Sequence, residues 1–248
     1  MNEPSDTPIR VVITGTQGRM SKRLRAFADN DLRFKLIAEF GARTGENTES
    51  NDVEANCSFD VVIDFTNEDG TKHALRLARE AACALVVGTT SLSRGILDDT
   101  VDLARSHPVM IAPNTSIGAA ILNQVVEAIA RQVASRFDID IVERHHIHKR
   151  DAPSGTARQL AQSIERATGV PLPSDRVHSI RAGDIIGEHE VTFSSPGEIL
   201  FFSHRVTNRD LFALGALDLA AWLTRRKPGL YSIQDYVEAD ASHDETHD

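Results

Sequence analysis

The part of the sequence with the highest concentration of basic side chains is a segment in its second half, called the cationic segment below. Three histidines, two arginines and one lysine lie within residues 144–150, in a chain whose formal charge is −9. Like charges repel one another at such spacing, so we expect an anionic ligand to compensate them. Histidine exchanges protons near neutral pH and lysine can donate one, so the segment also contains candidate acid–base groups.

A predicted helix start follows this segment directly. Ser154-Gly155-Thr156 precedes an amphipathic pattern in which Ala157, Leu160, Ala161 and Ile164 share one face. The first N–H groups of a helix have no partner within the helix, and together with its dipole they bind carboxylates. The sequence therefore predicts cations, a titratable imidazole and an oxyanion cradle in one place.

Two other interpretations of the cationic segment stay open on these residues alone. The His-His-x-His run could ligate zinc, although no H-E-x-x-H spacing or matching set of ligands accompanies it. The segment could also be a solvated basic loop. We expect no metal site.

The first half of the chain alternates short apolar runs with helical patterns. Near-continuous apolar runs are typical of parallel strands that are covered on both faces. The alternation predicts a doubly wound, Rossmann-like parallel sheet. The runs are Arg10–Thr14, Leu36–Phe40, Asp60–Phe65, Ala84–Gly88 and Val109–Ala112.

The pattern changes after a long amphipathic helix around residues 121–133. Residues 137–142 alternate in polarity, as do parts of 178–193 and 198–206, and a last helical stretch covers about 210–223. We therefore predict an α/β protein with two domains. Residues 1–116 and 209–248 form the dinucleotide-binding domain, and 117–208 form a smaller α+β substrate and oligomerisation domain with a mixed sheet.

A glycine loop joins the first predicted strand to a helix. Its pattern is G-x-x-G-x-x-S, beginning at Gly15, and such loops let the backbone approach a pyrophosphate at the helix N-terminus. A simple tight turn is the alternative. Small and hydroxyl residues follow two later strands, at 88–90 and 112–115, where α/β sheets bind ligands, although they could be ordinary loops.

The second predicted strand bears on the choice of nucleotide. Rossmann sites usually carry an acid near the end of this strand, which holds the ribose hydroxyls. Here Gly41 takes that slot, and Arg43 or Arg19 could pair with a 2′-phosphate. We therefore expect NADPH to be used at least as well as NADH.

Composition narrows the possible partners and location. The acidic balance disfavours nucleic acid and anionic membranes, and no apolar run approaches the roughly 18 residues that span a bilayer. Cys57 and Cys83 match no metal or redox spacing, and the N-terminus shows no hydrophobic signal segment. We expect a cytoplasmic protein whose acidic tail, Ala239–Asp248, is disordered.

Several motifs, taken together, resemble one family. ERHHIHKRDAPSGTA is similar to the signature E-x-H-H-x-x-K-x-D-x-P-S-G-T-A of the dihydrodipicolinate reductases. The runs GTQGRM, DFTNEDG, GTT, APNTSIG and RAGDIIGEH resemble its other landmarks in the same order. The resemblance runs from Ile9 to about Tyr236. It implies reduction of 4-hydroxy-tetrahydrodipicolinate, a small dicarboxylate, by NADPH or NADH, in a homotetramer.

The resemblance also implies a role for each matching residue. His145 and Lys149 match the family's proton donors, and His146, Gly155 and Thr156 match its substrate contacts. Three segments match its cofactor contacts. They comprise Gly15, Thr16, Gln17, Gly18, Arg19 and Met20, then Gly88, Thr89 and Thr90, and finally Ala112, Pro113, Asn114 and Thr115.

The chain departs from the family pattern on the cofactor side. Ser21 and Ser91 stand where glycine is usual, and Thr115 replaces a common aromatic residue. Two other functions remain as alternatives. A different Rossmann oxidoreductase of amino acids or semialdehydes would not turn over the family's substrate, and a non-catalytic NAD(P) sensor would bind nucleotide without oxidising it.

Overall fold

The computed structural model describes residues 7–15, 17–40, 58–133 and 135–244. The chain divides into two compact units. The first contains Met1–Thr115 and Asp210–Asp248, and the second contains Ser116–Arg209. None of the described helices combines the length and the apolar character that crossing a bilayer requires.

The first unit contains a parallel sheet of six strands. Their spatial order is β10-β5-β4-β3-β1-β2, and every neighbouring pair is parallel. The strands are β1 (Ile9–Thr14), β2 (Phe34–Phe40), β3 (Val61–Asp64), β4 (Ala84–Val87), β5 (Pro108–Ile111) and β10 (Gly229–Tyr231).

Helices cover both faces of this sheet. Residues that alternate along β1 enter two separate apolar cores, one containing Val11 and Ile13 and the other Val12. This arrangement explains why the strands are apolar at nearly every position. The helices are α1 (Arg19–Ala28), α2 (Glu68–Ala81), α3 (Arg94–Ala104), α6 (Asp210–Leu223) and α7 (Ile233–Asp244).

The second unit contains a mixed sheet of four strands in the order β7-β6-β8-β9. Strand β6 pairs parallel with β7 and antiparallel with β8, which pairs antiparallel with β9. The elements are α4 (Ile117–Val133), β6 (Asp138–His145), α5 (Gly155–Thr168), β7 (Val177–Arg181), β8 (Glu188–Ser195) and β9 (Glu198–Arg205).

One face of the mixed sheet forms a core with α4 and α5. Ile139 and Ile141 of β6, and Val191 and Phe193 of β8, pack there against apolar residues of both helices, such as Leu160. The opposite face exposes apolar side chains, since Ile180, Ile199 and Phe201 are 41%, 55% and 62% exposed. The sheet therefore has one buried and one open face.

The predicted fold class is confirmed, since a parallel Rossmann-like sheet is joined by a second, mixed sheet. Two features differ from the sequence interpretation. Strand β10 was not predicted, because three residues are too few to show a period. Helix α7 continues to Asp244, so the prediction of disorder for the tail is wrong up to that residue; residues 245–248 lie outside the described part.

Candidate active site

The end of β6 places two ionisable side chains on the buried face of the mixed sheet. Burial alternates along this strand, so Glu143 and His145 continue the row that begins with Ile139 and Ile141. Glu143 is 0% exposed and His145 is 8% exposed. Because side chains repeat every two residues along a strand, a carboxylate two positions before a histidine shares its face.

The Glu143 carboxylate is the hub of a hydrogen-bond network. Oε2 lies 2.5 Å from Nδ1 of His145, and Oε1 accepts from the backbone N–H of Ser154 at 3.2 Å. Arg181 on β7 donates to both oxygens, at 2.9 and 2.7 Å. One carboxylate therefore joins the candidate general acid, a cation and the start of α5.

The network shifts the pKa values of both Glu143 and His145. Burial opposes ionisation of Glu143, but hydrogen bonds from Arg181, Ser179 and His145 outweigh it and hold its pKa at about 2. Burial lowers the pKa of the His145 imidazole, and the Glu143 carboxylate opposes that effect. The positive charge of Lys149 lowers the pKa of His145 further, which shows that these two groups interact.

The turn after β6 carries the second candidate acid. Lys149 Nζ lies 2.9 Å from Oδ1 of Asp151, and its side chain is 23% exposed. The amide N–H of Lys149 donates to the carbonyl of His146 at 3.1 Å, closing a tight turn. The peptide bond between Ala152 and Pro153 is cis. Lys149 is thus held by an ion pair yet stays accessible.

Helix α5 begins where the sequence predicts an oxyanion cradle. Ser154 is the N-cap, and its Oγ accepts from the backbone N–H of Ala157 at 3.2 Å. Gly155 is the first helical residue, and a Cβ placed on it would meet only Arg158, at 3.9 Å. The helix start is therefore fixed by its cap and sterically open at Gly155.

Two further histidines lie beside the Glu143 network. His189 on β8 pairs with Glu143 in register, and its Nε2 lies 3.1 Å from Ser154 Oγ. Its ring lies 5.2 Å from that of His145 and 6.5 Å from that of His204 on β9. Burial, then the charges of His145 and His204, lower the pKa of His189 to about 3, so it is neutral at physiological pH.

In the first unit, the described residues between β1 and α1 suit the binding of an anion. Gly15 has φ +90°, a conformation that favours glycine, and a Cβ there would lie 2.7 Å from Cγ2 of Thr66. Gly18 is the N-cap of α1, and among the described residues no side chain caps this helix. Its first N–H groups are thus available to a phosphate, so the loop fits a dinucleotide.

Two other strand ends lie at the same edge of this sheet, because all its strands are parallel. After β4, Gly88 donates its N–H to Asp64 O at 2.7 Å, and its Cβ position is filled by the ring of Phe65. After β5, Thr115 Oγ1 donates to the carbonyl of Phe212 at 2.6 Å. Thr115, where the family commonly has an aromatic residue, is 1% exposed.

The structure brings the predicted site residues together in two groups. The second unit contains His145, His146, Lys149, Gly155 and Thr156, at the end of β6 or in the turn and helix that follow it. The first unit contains the predicted nucleotide contacts, at the ends of β1, β4 and β5. Thr16, Gly41 and Arg43 lie outside the described residues.

Sequence reasoning gave no role to several residues that organise these groups. Glu143 and Arg181 were noted only as letters of family motifs, and so were Asp64 and His189. The period-2 alternation of β6 could have identified Glu143, because it places this carboxylate beside His145. Arg181 reaches Glu143, and Thr14 and Thr89 reach Asp64, from distant segments, which no local pattern indicates.

The fold and these residues define a class of protein, a two-unit α/β protein with a dinucleotide-type loop and an acid–base site. Residues 9–115 match the model of the family "Dihydrodipicolinate reductase, N-terminus", and residues 118–237 match "Dihydrodipicolinate reductase, C-terminus". The chain belongs to the dihydrodipicolinate reductase family.

Individual relatives agree with this membership. The 4-hydroxy-tetrahydrodipicolinate reductase of Campylobacter jejuni (strain 81-176) is 36% identical, over 92% of this chain and 99% of that protein. The protein of the same name from Xanthomonas campestris (strain B100) is 38% identical, over 93% and 98%. A dihydrodipicolinate reductase structure from Paenisporosarcina sp. TG-14 shares the fold, with TM-score 0.70 and 23% identity over 91% and 98%.

Proposed function

We propose that the chain catalyses the NAD(P)H-dependent reduction of 4-hydroxy-tetrahydrodipicolinate to tetrahydrodipicolinate, in lysine and diaminopimelate biosynthesis. The observation that carries this proposal is the buried Glu143–His145 pair beside Lys149 and the start of α5. It occurs in a chain 36% and 38% identical to reductases named for that substrate.

The substrate is a ring with two carboxylates, and the second unit offers groups that suit both. The start of α5, at Gly155 and Thr156, presents helix N–H groups to one carboxylate. His146 and Lys149 supply polar and cationic contacts from the turn after β6. These residues are our proposed substrate contacts.

Proton transfer is assigned to His145 and Lys149. Nδ1 of His145 faces the Glu143 carboxylate and therefore carries a hydrogen, which leaves Nε2 as the atom that exchanges a proton with the substrate. A Cβ on Gly187 would lie 3.2 Å from this Nε2, so glycine keeps space open beside it. Lys149 is the second proposed donor.

The first unit is our proposed nucleotide site. The backbone from Gly15 to Met20 and the free start of α1 would hold the pyrophosphate, and Gly88–Thr90 and Ala112–Thr115 would contact the rest of the cofactor. Bound NADPH or NADH supplies the hydride. We also propose that NADPH is used at least as well as NADH, because Gly41 presents no carboxylate to a 2′-phosphate.

We further propose a cytoplasmic homotetramer. The open face of the mixed sheet supports self-association, since it exposes Ile180, Ile199 and Phe201. The cytoplasm is the compartment that holds the pool of nicotinamide cofactor. Light scattering coupled to size-exclusion chromatography tests the assembly, and introducing a charge with Phe201→Glu should dissociate it.

A coupled assay tests the reaction itself. The purified chain is mixed with aspartate semialdehyde, pyruvate and the preceding synthase, and the loss of nicotinamide absorbance is followed with NADPH and with NADH. We expect oxidation of both, with kcat/KM for NADPH at least equal to that for NADH. Binding of nucleotide without any oxidation would instead identify a sensor, and turnover of another semialdehyde or amino acid alone would identify a different oxidoreductase.

A further inference from the structure

A buried carboxylate at the nucleotide edge of the first unit has no role in the chemistry above. Asp64 is the last residue of β3 and is 0% exposed. Four threonine hydroxyls donate to it. Thr14 and Thr66 bond Oδ1 at 2.7 and 2.5 Å, whereas Thr71 and Thr89 bond Oδ2 at 2.6 and 2.8 Å.

The four threonines come from four different segments. Thr14 ends β1 immediately before Gly15, and Thr66 lies in the turn after β3. Thr71 is in the first turn of α2, and Thr89 lies in the loop after β4. One carboxylate therefore connects two of the three segments that we propose as nucleotide contacts.

Two of these threonines, Thr66 and Thr89, also bond to each other. Thr89 Oγ1 donates to Asp64 and at the same time accepts from the backbone N–H of Thr66 at 2.8 Å. The methyl group of Thr66 in turn occupies the Cβ position of Gly15. A change in the charge or length of the side chain at position 64 would therefore displace Thr66 and Thr89. Through Thr66 it would also alter the packing against Gly15.

We propose that Asp64 is the positioning residue of the nucleotide site, holding the β1–α1 loop and the loop after β4 in the geometry that binds the cofactor. This inference rests on the proposed function, because it assumes that nucleotide binds at this edge of the sheet. Asp64 acts through Thr14, Thr66 and Thr89, and four hydroxyl donors surround it because its whole carboxylate must be satisfied away from water.

Asp60, next to the same strand, provides a control. It lies just before β3, at the opposite end from Asp64, and binds the Arg10 guanidinium at 2.7 Å. Asp60→Asn and Asp64→Asn make the same chemical change four residues apart. A general loss of sheet stability would follow from either substitution, but a loss of loop geometry follows only from Asp64→Asn.

The test is the Kd for NADPH, measured by nucleotide fluorescence without turnover, with thermal unfolding recorded in parallel. Asp64→Asn places an amide donor among hydroxyls that already donate, so we expect its Kd to rise about tenfold, with Asp60→Asn unchanged. The KM for the dicarboxylate should change in neither variant. A folded Asp64→Asn protein with wild-type Kd overturns the inference.

Thr71→Val gives a second, independent arm. Thr71 is buried in α2, is not a proposed nucleotide contact, and loses only its hydroxyl. We expect Thr71→Val to raise the Kd about threefold in the wild-type background and not at all in Asp64→Asn. If Asp64→Asn does not fold, an unchanged Kd in Thr71→Val is enough by itself to overturn the inference. A wild-type chain that binds neither nucleotide overturns the proposed function instead.

Discussion

The Nδ1 atom of His145 lies 2.5 Å from Oε2 of Glu143, and both side chains are buried on the inner face of the mixed sheet. Arg181 binds the same carboxylate through two nitrogens. The imidazole is thus oriented by a carboxylate that is itself held by a cation, an arrangement known from other acid–base sites. The protonation of His145 should depend on Glu143.

The first prediction concerns the pH dependence of turnover. The Glu143 carboxylate opposes the effect of burial, so Glu143→Gln should lower the pKa of His145 further. Since the proposed role needs the protonated imidazole, the alkaline limb of kcat should move to lower pH. Glu165→Gln, on the exposed face of α5, is the control and should leave the limb in place. An unshifted limb in Glu143→Gln contradicts the role of Glu143.

The second prediction concerns the proton donors. His145→Ala and Lys149→Ala should each lower kcat by roughly 10²- to 10⁴-fold, the usual cost of losing a general acid, while the Kd for NADPH stays near wild type. Arg150→Ala removes the same formal charge from the neighbouring exposed residue and should leave kcat within about twofold. Comparable losses in Lys149→Ala and Arg150→Ala would mean that only local charge matters.

The third prediction concerns the helix start. A Cβ at position 155 would meet only Arg158, so we expect Gly155→Val to fold while its side chain blocks the open N-terminus of α5. We expect KM for the dicarboxylate to rise by about tenfold or more, with an unchanged Kd for NADPH. Gly169→Ala, at the other end of α5, is the control for general damage to the helix. A selective loss of NADPH affinity in Gly155→Val would refute the assignment.

The fourth prediction concerns stability against pH. The pKa of His189 is about 3 when folded, below its ordinary 6.5, because burial disfavours its charged form. Between these two values His189 binds a proton in the unfolded chain but not in the folded chain. The stabilising contribution of His189 to the folded state is therefore lost as pH falls from 6.5 towards 3. Between pH 8 and pH 5 this should lower the free energy of unfolding by about 2 kcal/mol.

Urea unfolding at both pH values, followed by circular dichroism, measures this loss. In His189→Gln the difference between pH 8 and pH 5 should shrink by that amount. His178→Gln is the control, since it makes the same substitution at a histidine on β7 that is 51% exposed. Equal pH differences in all three proteins would show that His189 titrates alike in both states.

The fifth prediction uses a departure from the family pattern. Ser91 stands where glycine is usual, and it has φ +59°, in the left-handed region that side chains disfavour. Ser91→Gly should raise the free energy of unfolding by about 1 kcal/mol. Ser93→Gly, two residues on at the N-cap of α3 with φ −66°, should give no increase. Differential scanning calorimetry measures the stability of the two variants. Equal changes in the free energy of unfolding would contradict the presence of backbone strain at Ser91.

Much of the first unit could be predicted from local patterns. The five apolar runs in the first half of the chain correspond to β1–β5 because parallel strands that are buried on both faces leave a strong signal. The start of α5 could also be predicted, since Ser154 is a favourable N-cap before an amphipathic pattern. Strand β10 left no such signal, because its three residues are too few to show a period.

The sequence alone determined the family, the two kinds of sheet and the residue types of the acid–base segment. Tertiary structure decided which groups set their charge and geometry. Arg181 reaches Glu143 only because β7 pairs with β6, and Thr14 and Thr89 reach Asp64 only because β1, β3 and β4 are neighbours. Hydrogen bonds and electrostatic shifts depend on distances of a few ångströms, which chain folding fixes between residues far apart in sequence.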